Sequence, residues 1–311
     1  MWKYVLKRLV SIIPIMLGAM FIVFVIMDLA PGDATDLLLS ADTATEEERE
    51  ELRVALGLDK PVPIQFLNYV INLCKGDLGT SYKSGAPVID EMIQRVPYTV
   101  MLALAATIIK VIVSIPLGML AAIKQNTVFD SATMAICLVG VSMPAFWLAL
   151  MLILLFSVNL GWLPVSGSGS IQHLILPALT QSFAGIASIA RVTRSSMLEV
   201  VRQDYVRTAR AKGLPERVVI WRHSLKNALL PTVTVIGGQI ANLLAGGVLT
   251  ETVFAWPGIG RFLMNSISWR DTPCVMACVM MFVLAFAVIN LIVDILYGFI
   301  DPRIKGMYVK K

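Results

Sequence analysis

Chemistry in this chain has few residues to draw on. It holds two histidines, His173 and His223, and four cysteines, Cys74, Cys137, Cys274 and Cys278. Neither histidine stands beside an obvious nucleophile, and no HExxH or GxSxG pattern occurs, which argues against a membrane hydrolase. Cys274 and Cys278 are one helical turn apart, a spacing two metal ligands can share. With so few histidines to complete a shell, the cysteines read instead as small apolar residues, and no metal or cofactor is expected. A GxxxxGK[ST] phosphate loop is missing too, so the chain is expected to have no nucleotide site and no enzymatic activity of its own.

Two other groups of residues carry functional signals. The first is the basic run Asp204-Tyr-Val-Arg-Thr-Ala-Arg-Ala-Lys-Gly-Leu214, extended by Arg217, Arg222 and Lys226. Its helical spacing puts Tyr205, Ala209 and Gly213 on one face, where small residues admit a neighbouring backbone. Leu214-Pro215 then breaks the helix. Such a segment suits docking into a protein groove, or contact with lipid headgroups. The second group is polar residues set inside apolar runs: Lys110, Gln239, Asn242, Asn290 and Asp294. Ionisable and amide side chains at membrane depth mark a transport path or helix–helix contacts.

The elements that hold these residues follow from composition. Of 311 residues, 57% are hydrophobic and 15% charged, with mean hydropathy +0.76. Soluble domains carry roughly 25% charged residues, so the chain reads as an all-α polytopic membrane protein. A spanning helix needs about 20 apolar residues. Six stretches meet that: Leu9–Leu29, Tyr98–Ile123, Thr133–Leu160, Leu174–Ser196, Leu229–Thr250 and Cys274–Tyr297. The first is read as an uncleaved helix, not a signal peptide. Lysine and arginine crowd into 1–8, 124–132, 191–228 and 298–311 and are nearly missing from 161–173 and 251–273. The positive-inside rule then puts both termini in the cytoplasm.

The division expected is a first transmembrane helix over 1–29, an extracytoplasmic helical insertion over 30–94, a five-span core over 95–300 containing the cytoplasmic segment 199–228, and a cytoplasmic tail over 301–311. In the insertion, Thr45 with Glu48 three residues on reads as a capping box before a helix that Gly57 stops. A second amphipathic helix follows over Ile64–Cys74, suited to the outer membrane surface or to a cap over a pore. The net charge of +5 follows this topology, and no nucleic-acid motif accompanies it.

The basic run, together with His223 and Asn227-Ala-Leu-Leu-Pro231, resembles the cytoplasmic coupling signature of ABC importer permeases of the dipeptide, oligopeptide and nickel type. Further matches lie along nearly the whole chain: Ala30-Pro-Gly-Asp33, Leu56-Gly-Leu-Asp59, Gly76-Asp-Leu-Gly79 with Ser81, and Arg95, Pro97 and Thr99. They continue through Ser142-Met-Pro144, Gly161-Trp-Leu-Pro164, Leu176-Pro177, Glu251, Phe254, Pro257-Gly258, Asp271 with Pro273, Asn290 and Asp301-Pro-Arg303. One departure stands out: the broader signature has Glu-Ala-Ala where this chain has Arg207-Thr208-Ala209.

The resemblance implies a type I importer permease of the bacterial inner membrane. Its partners would be a second, similar permease, two cytoplasmic ATP-binding subunits and an extracytoplasmic substrate-binding protein. Asp204, Tyr205, Arg207, Thr208, Ala209, Arg210, Lys212, Gly213 and Leu214 would contact the ATPase. Lys110, Ser142, Gln239, Asn242 and Asn290 are the candidates for the path. Cargo would be di- or oligopeptides, with nickel, a metallophore or glutathione as the alternative. A secondary transporter is a more distant reading, since it leaves the coupling segment unexplained.

Overall fold

The computed structural model describes residues 2–30, 32, 34–39 and 45–300, with backbone alone for 2–5, 7, 36, 37, 241–246 and 296–300. The tail motif at 301–303 and two residues of the 30–33 motif lie outside that set, as does the Asn242 side chain. Among the described residues the chain is helical, with one isolated bridge pairing Thr80 and Pro87. It divides into two units, Met1–Thr99 with Pro257–Ala287 and Val100–Trp256 with Val288–Lys311.

The first unit opens with α1 (Trp2–Leu29), then α2 (Ala34–Leu38), α3 (Glu46–Ala55) and α4 (Val62–Cys74). The capping box is present: the Thr45 N–H donates to the Glu48 carboxylate at 2.8 Å, and the Glu48 N–H donates to the Thr45 hydroxyl at 3.3 Å. Gly57 (φ +72°) ends the helix; Leu58 then reaches back to the Arg53 carbonyl, the left-handed stop that glycine permits. Helix α4 packs its Val62, Phe66, Tyr69 and Leu73 on Met20 and Phe24 of α1 and on Met276. That side of α4 is packed within the chain, while Ile64, Leu67 and Ile71 stay exposed. A second core joins Val88 and Met92 to Ile259, Cys274, Ala277 and Cys278. It ties the start of α5 (Val88–Ile123) to α12 (Ile259–Ser268) and α13 (Thr272–Ile300).

The second unit is built around α8 (Ile171–Val201), packed against α6 (Val128–Ser142), α7 (Ala145–Leu152) and α11 (Leu225–Val253). Two of its crossings depend on missing side chains. A Cβ on Gly118 of α5 would stand 2.4 Å from the Ala190 carbonyl oxygen, and one on Gly140 of α6 would stand 3.1 Å from the Phe183 ring. The short helices α9 (Asp204–Ala211) and α10 (Glu216–Val218) connect α8 to α11, with a π-turn over Val219–Ser224.

Among the described residues, four single helices are long and apolar enough to cross a membrane: Arg8–Leu29, Val88–Ile123, Ile171–Val201 and Thr272–Ile295. The stretch expected as one span over Thr133–Leu160 is broken instead. Val128–Ser142 and Ala145–Asn159 meet at 108°. Pro144 has no N–H to continue the helix and holds Met143 extended (φ −81°, ψ 124°). Continuous apolar composition concealed that break. The fifth expected span falls on α11, a helix of 29 residues that is not among those four.

Candidate coupling segment and intramembrane polar residues

Helix α9 is amphipathic in a way its sequence only half discloses. Val206 and Ala209 are buried against Val219, with Val200 packed beside them. The expectation that Ala209 shares an open docking face with Tyr205 and Gly213 is corrected: Ala209 is 5% exposed and faces its own chain. Its small size admits the π-turn that follows in the same segment. Asp204, Tyr205, Arg207, Thr208, Arg210, Lys212, Gly213 and Leu214 are exposed. Gly213 closes the helix at φ +74° with open space around the position of a Cβ. Glycine there meets a backbone requirement.

Two contacts fix α9 to its surroundings. The Tyr205 hydroxyl accepts from the Asn227 amide at 2.9 Å, linking α9 to α11. The Arg210 guanidinium grips both Glu216 oxygens, at 2.7 and 3.2 Å. That hydrogen bonding holds the Glu216 carboxyl below its ordinary range, against a smaller opposing effect of desolvation. Arg207 and Asp204 are 3.8 Å apart and largely solvated, a pair worth little. The solvent face thus presents the cations Arg202, Arg207 and Lys212.

The polar residues expected on the path are dispersed. Lys110 is 4% exposed, with its stem laid over Gly185 of α8. Ser142 is exposed at the α6–α7 bend and donates to the Leu138 carbonyl at 3.0 Å; it lines an apolar groove with Val139, Met143, Phe146 and Trp147. Gln239 on α11 and Asn290 on α13 are half-buried. No described contact joins Lys110 to any of these.

Sequence reading passed over three arrangements. Asp130 at the start of α6 receives both guanidinium arms of Arg194 on α8, at 2.5 and 2.6 Å, and accepts from the Asn126 N–H at 3.1 Å. Asp271 accepts from the Ser81 hydroxyl at 2.5 Å and from the Tyr82 and Lys83 N–H groups at 3.2 and 3.4 Å. Burial, with Asp271 alongside, pushes the Tyr82 phenol up to about 12. Around this knot Gly79 rests on Pro273, Lys83 caps the Trp269 ring, Arg95 lies over Phe262, and Thr99 accepts from the Ile259 N–H. The third arrangement is on α8 and α11, where Gln181 and Glu251 meet at Gly247. A Cβ there would be 3.2 Å from Gln181 Nε2 and 3.8 Å from Glu251 Oε1. The glycine-plus-four spacing of 181 with 185 and of 247 with 251 was the one available signal. Cys274 and Cys278 lie in the buried apolar cluster, with Cys278 Sγ 3.9 Å from Met92 Sδ.

Comparison with known proteins adds the rest. Residues 114–306 match the model of the binding-protein-dependent transport system inner membrane component, and residues 1–103 match its N-terminal region. The chain is 42% identical to the dipeptide transport system permease protein DppB of Alkalihalophilus pseudofirmus, over 98% of this chain and 100% of that protein. It is 41% identical to the di/tripeptide transport system permease protein DppB of Pseudomonas aeruginosa, over 98% and 99%. It is 43% identical to the glutathione transport system permease protein GsiC of Salmonella choleraesuis, again over 98% and 99%.

Proposed function

The chain belongs to the family of binding-protein-dependent transport system inner membrane components, and from that premise we propose that it forms half of the translocation path of an ATP-driven peptide importer. It is a membrane transport permease, and its role is passage, not catalysis. The observation that carries the coupling role is α9: its apolar side is seated in the chain and its cationic side is left open. Seating lets the helix move as a body with its own core. The open side offers contacts to a cytoplasmic ATPase, whose nucleotide-driven closure would shift α9. Tyr205 and Asn227 would pass that shift to α11. A partner can move the equilibrium only by binding the two states unequally.

In this reading the chain spans the membrane six times, counting α11 and the bent pair α6–α7, with both termini in the cytoplasm. The helices α3 and α4 are extracytoplasmic, where a substrate-binding protein delivers cargo. A second permease completes the path, and two ATP-binding subunits hydrolyse ATP. Di- and tripeptides are the cargo class, because full-length relatives carry that function by name. A second reading, glutathione, has its own support. The alignment to GsiC covers 305 positions, while those to the dipeptide permeases extend over 333 to 336. This chain thus lacks insertions the dipeptide relatives have.

The test is uptake of a labelled dipeptide and of labelled glutathione by cells with and without the gene. Reversing charge on the open side of α9 (Arg207→Glu with Lys212→Glu) is expected to reduce uptake at least tenfold at equal membrane abundance. Unchanged uptake in that variant refutes the docking surface, and cargo entering equally well without the gene refutes the importer.

A further inference from the structure

We propose that Lys110 is a carboxylate-recognition group in the translocation path, pairing with the C-terminal carboxylate of the cargo as it crosses. This rests on the peptide reading above and goes further, because it names the part of the cargo and the residue that meets it.

Lys110 lies in the apolar part of α5 and is 4% exposed. No hydrogen bond or ion pair joins its ammonium to any described residue. A lysine at membrane depth normally runs its stem to an interface, but this one lies against the middle of α8. Room for it comes from Gly185, where a Cβ would stand 2.7 Å from both Cδ and Cε of the lysine and 3.2 Å from Nζ. Two positions on two helices are thus fitted to each other to hold one cation.

Packing alone does not explain that arrangement. Methionine fills the same shape without a charge, whereas burying an unpaired ion is unfavourable. An anion that reaches the ammonium in another state of the cycle offsets that cost. The surroundings extend the polarity. One turn from Gly185 on α8 is Gln181, and across Gly247 stands the Glu251 carboxylate, 1% exposed. Ammonium, amide and carboxylate therefore follow one another along the contact of α8 with its neighbours. A zwitterionic peptide carries both charges that such a series complements.

Two carboxylates have this chemistry, the cargo's and that of Glu251, and reconstituted importer distinguishes them. The complete assembly in liposomes, with cargo-loaded binding protein, is assayed for dipeptide delivered and ATP hydrolysed. Lys110→Met is expected to keep cargo-stimulated hydrolysis and to lose at least tenfold in dipeptide delivered per ATP. Lys110→Arg is expected to keep both, which separates loss of charge from misfolding. The proposal is overturned if delivery per ATP is unchanged in Lys110→Met, or if Lys110→Arg behaves like Lys110→Met. It is overturned in favour of an internal pair if hydrolysis and delivery fall together in Lys110→Met and Glu251→Gln reproduces the loss. A wild-type assembly that delivers no peptide removes the peptide reading, and this inference with it.

Discussion

Among single residues, Asp271 has the most concentrated role described. Its carboxylate receives a hydroxyl and two backbone N–H groups from residues 81–83, nearly 190 positions earlier. Each orphaned buried donor costs about 1–3 kcal/mol, and two of these three are only partly buried. Asp271→Ala is therefore expected to destabilise by about 2–4 kcal/mol, read as a lower unfolding temperature in detergent. Asp271→Asn keeps an acceptor and is expected to lose less. The knot also has a pH signature. The fold favours the neutral Tyr82 phenol, so that contribution is intact below the ordinary tyrosine value of 10.0 and is lost as pH climbs through about 12. In Asp271→Ala the alkaline loss is expected to be smaller and to level off at a lower pH, because the carboxylate's share of the shift is gone while burial remains. None of this was legible in the sequence. Gly79, Ser81, Thr99, Asp271 and Pro273 were visible as separate motif residues, but the distance between them along the chain gives no hint that they meet.

At the scale of elements, local signals were readable and contacts between elements were not. The Thr45–Glu48 capping box and the Gly57 stop depend on neighbours three to five residues away, and the structure has both. The break at Met143-Pro144 had an equally local cause, yet the apolar run on either side of it suggested one continuous span. On α9 the helical period was legible but the intrachain contact was not: the small residue Ala209 packs on Val219, ten residues on. The crossing of α5 over α8 shows how sharply such contacts are set. Any side chain at 118 must displace the Ala190 carbonyl or separate the helices, since a Cβ would sit 2.4 Å from that oxygen. Overpacking of this kind costs about 1–3 kcal/mol, and backbone offers no rotamer as an escape. Gly118→Ala is expected to lower thermal stability by that amount and Gly118→Val to prevent stable insertion, measured as folded protein recovered from membranes. A Gly118→Val protein recovered at wild-type yield and stability contradicts the close crossing.

At the scale of the whole molecule, the open question is which side each segment faces, and the chain's own cysteines provide the assay. Cys74, at the end of α4, is exposed, while Cys137, Cys274 and Cys278 are buried. A thiol reagent that cannot cross the membrane should therefore report on one native position. The distribution of lysine and arginine leads us to expect α4 outside and α9 inside. Applied to intact spheroplasts, the reagent is expected to label the wild-type chain at Cys74 and to leave Cys74→Ser unlabelled. A thiol placed on the open side of α9, as Lys212→Cys in the Cys74→Ser background, is expected to react only after the membrane is opened. Both results together place the two segments on opposite faces, as an importer driven from the cytoplasm requires. Labelling of Cys74 only after lysis, with Lys212→Cys reactive from outside, would invert the topology. The basic face of α9 would then point away from any ATPase, and the coupling role would fall even with family membership intact.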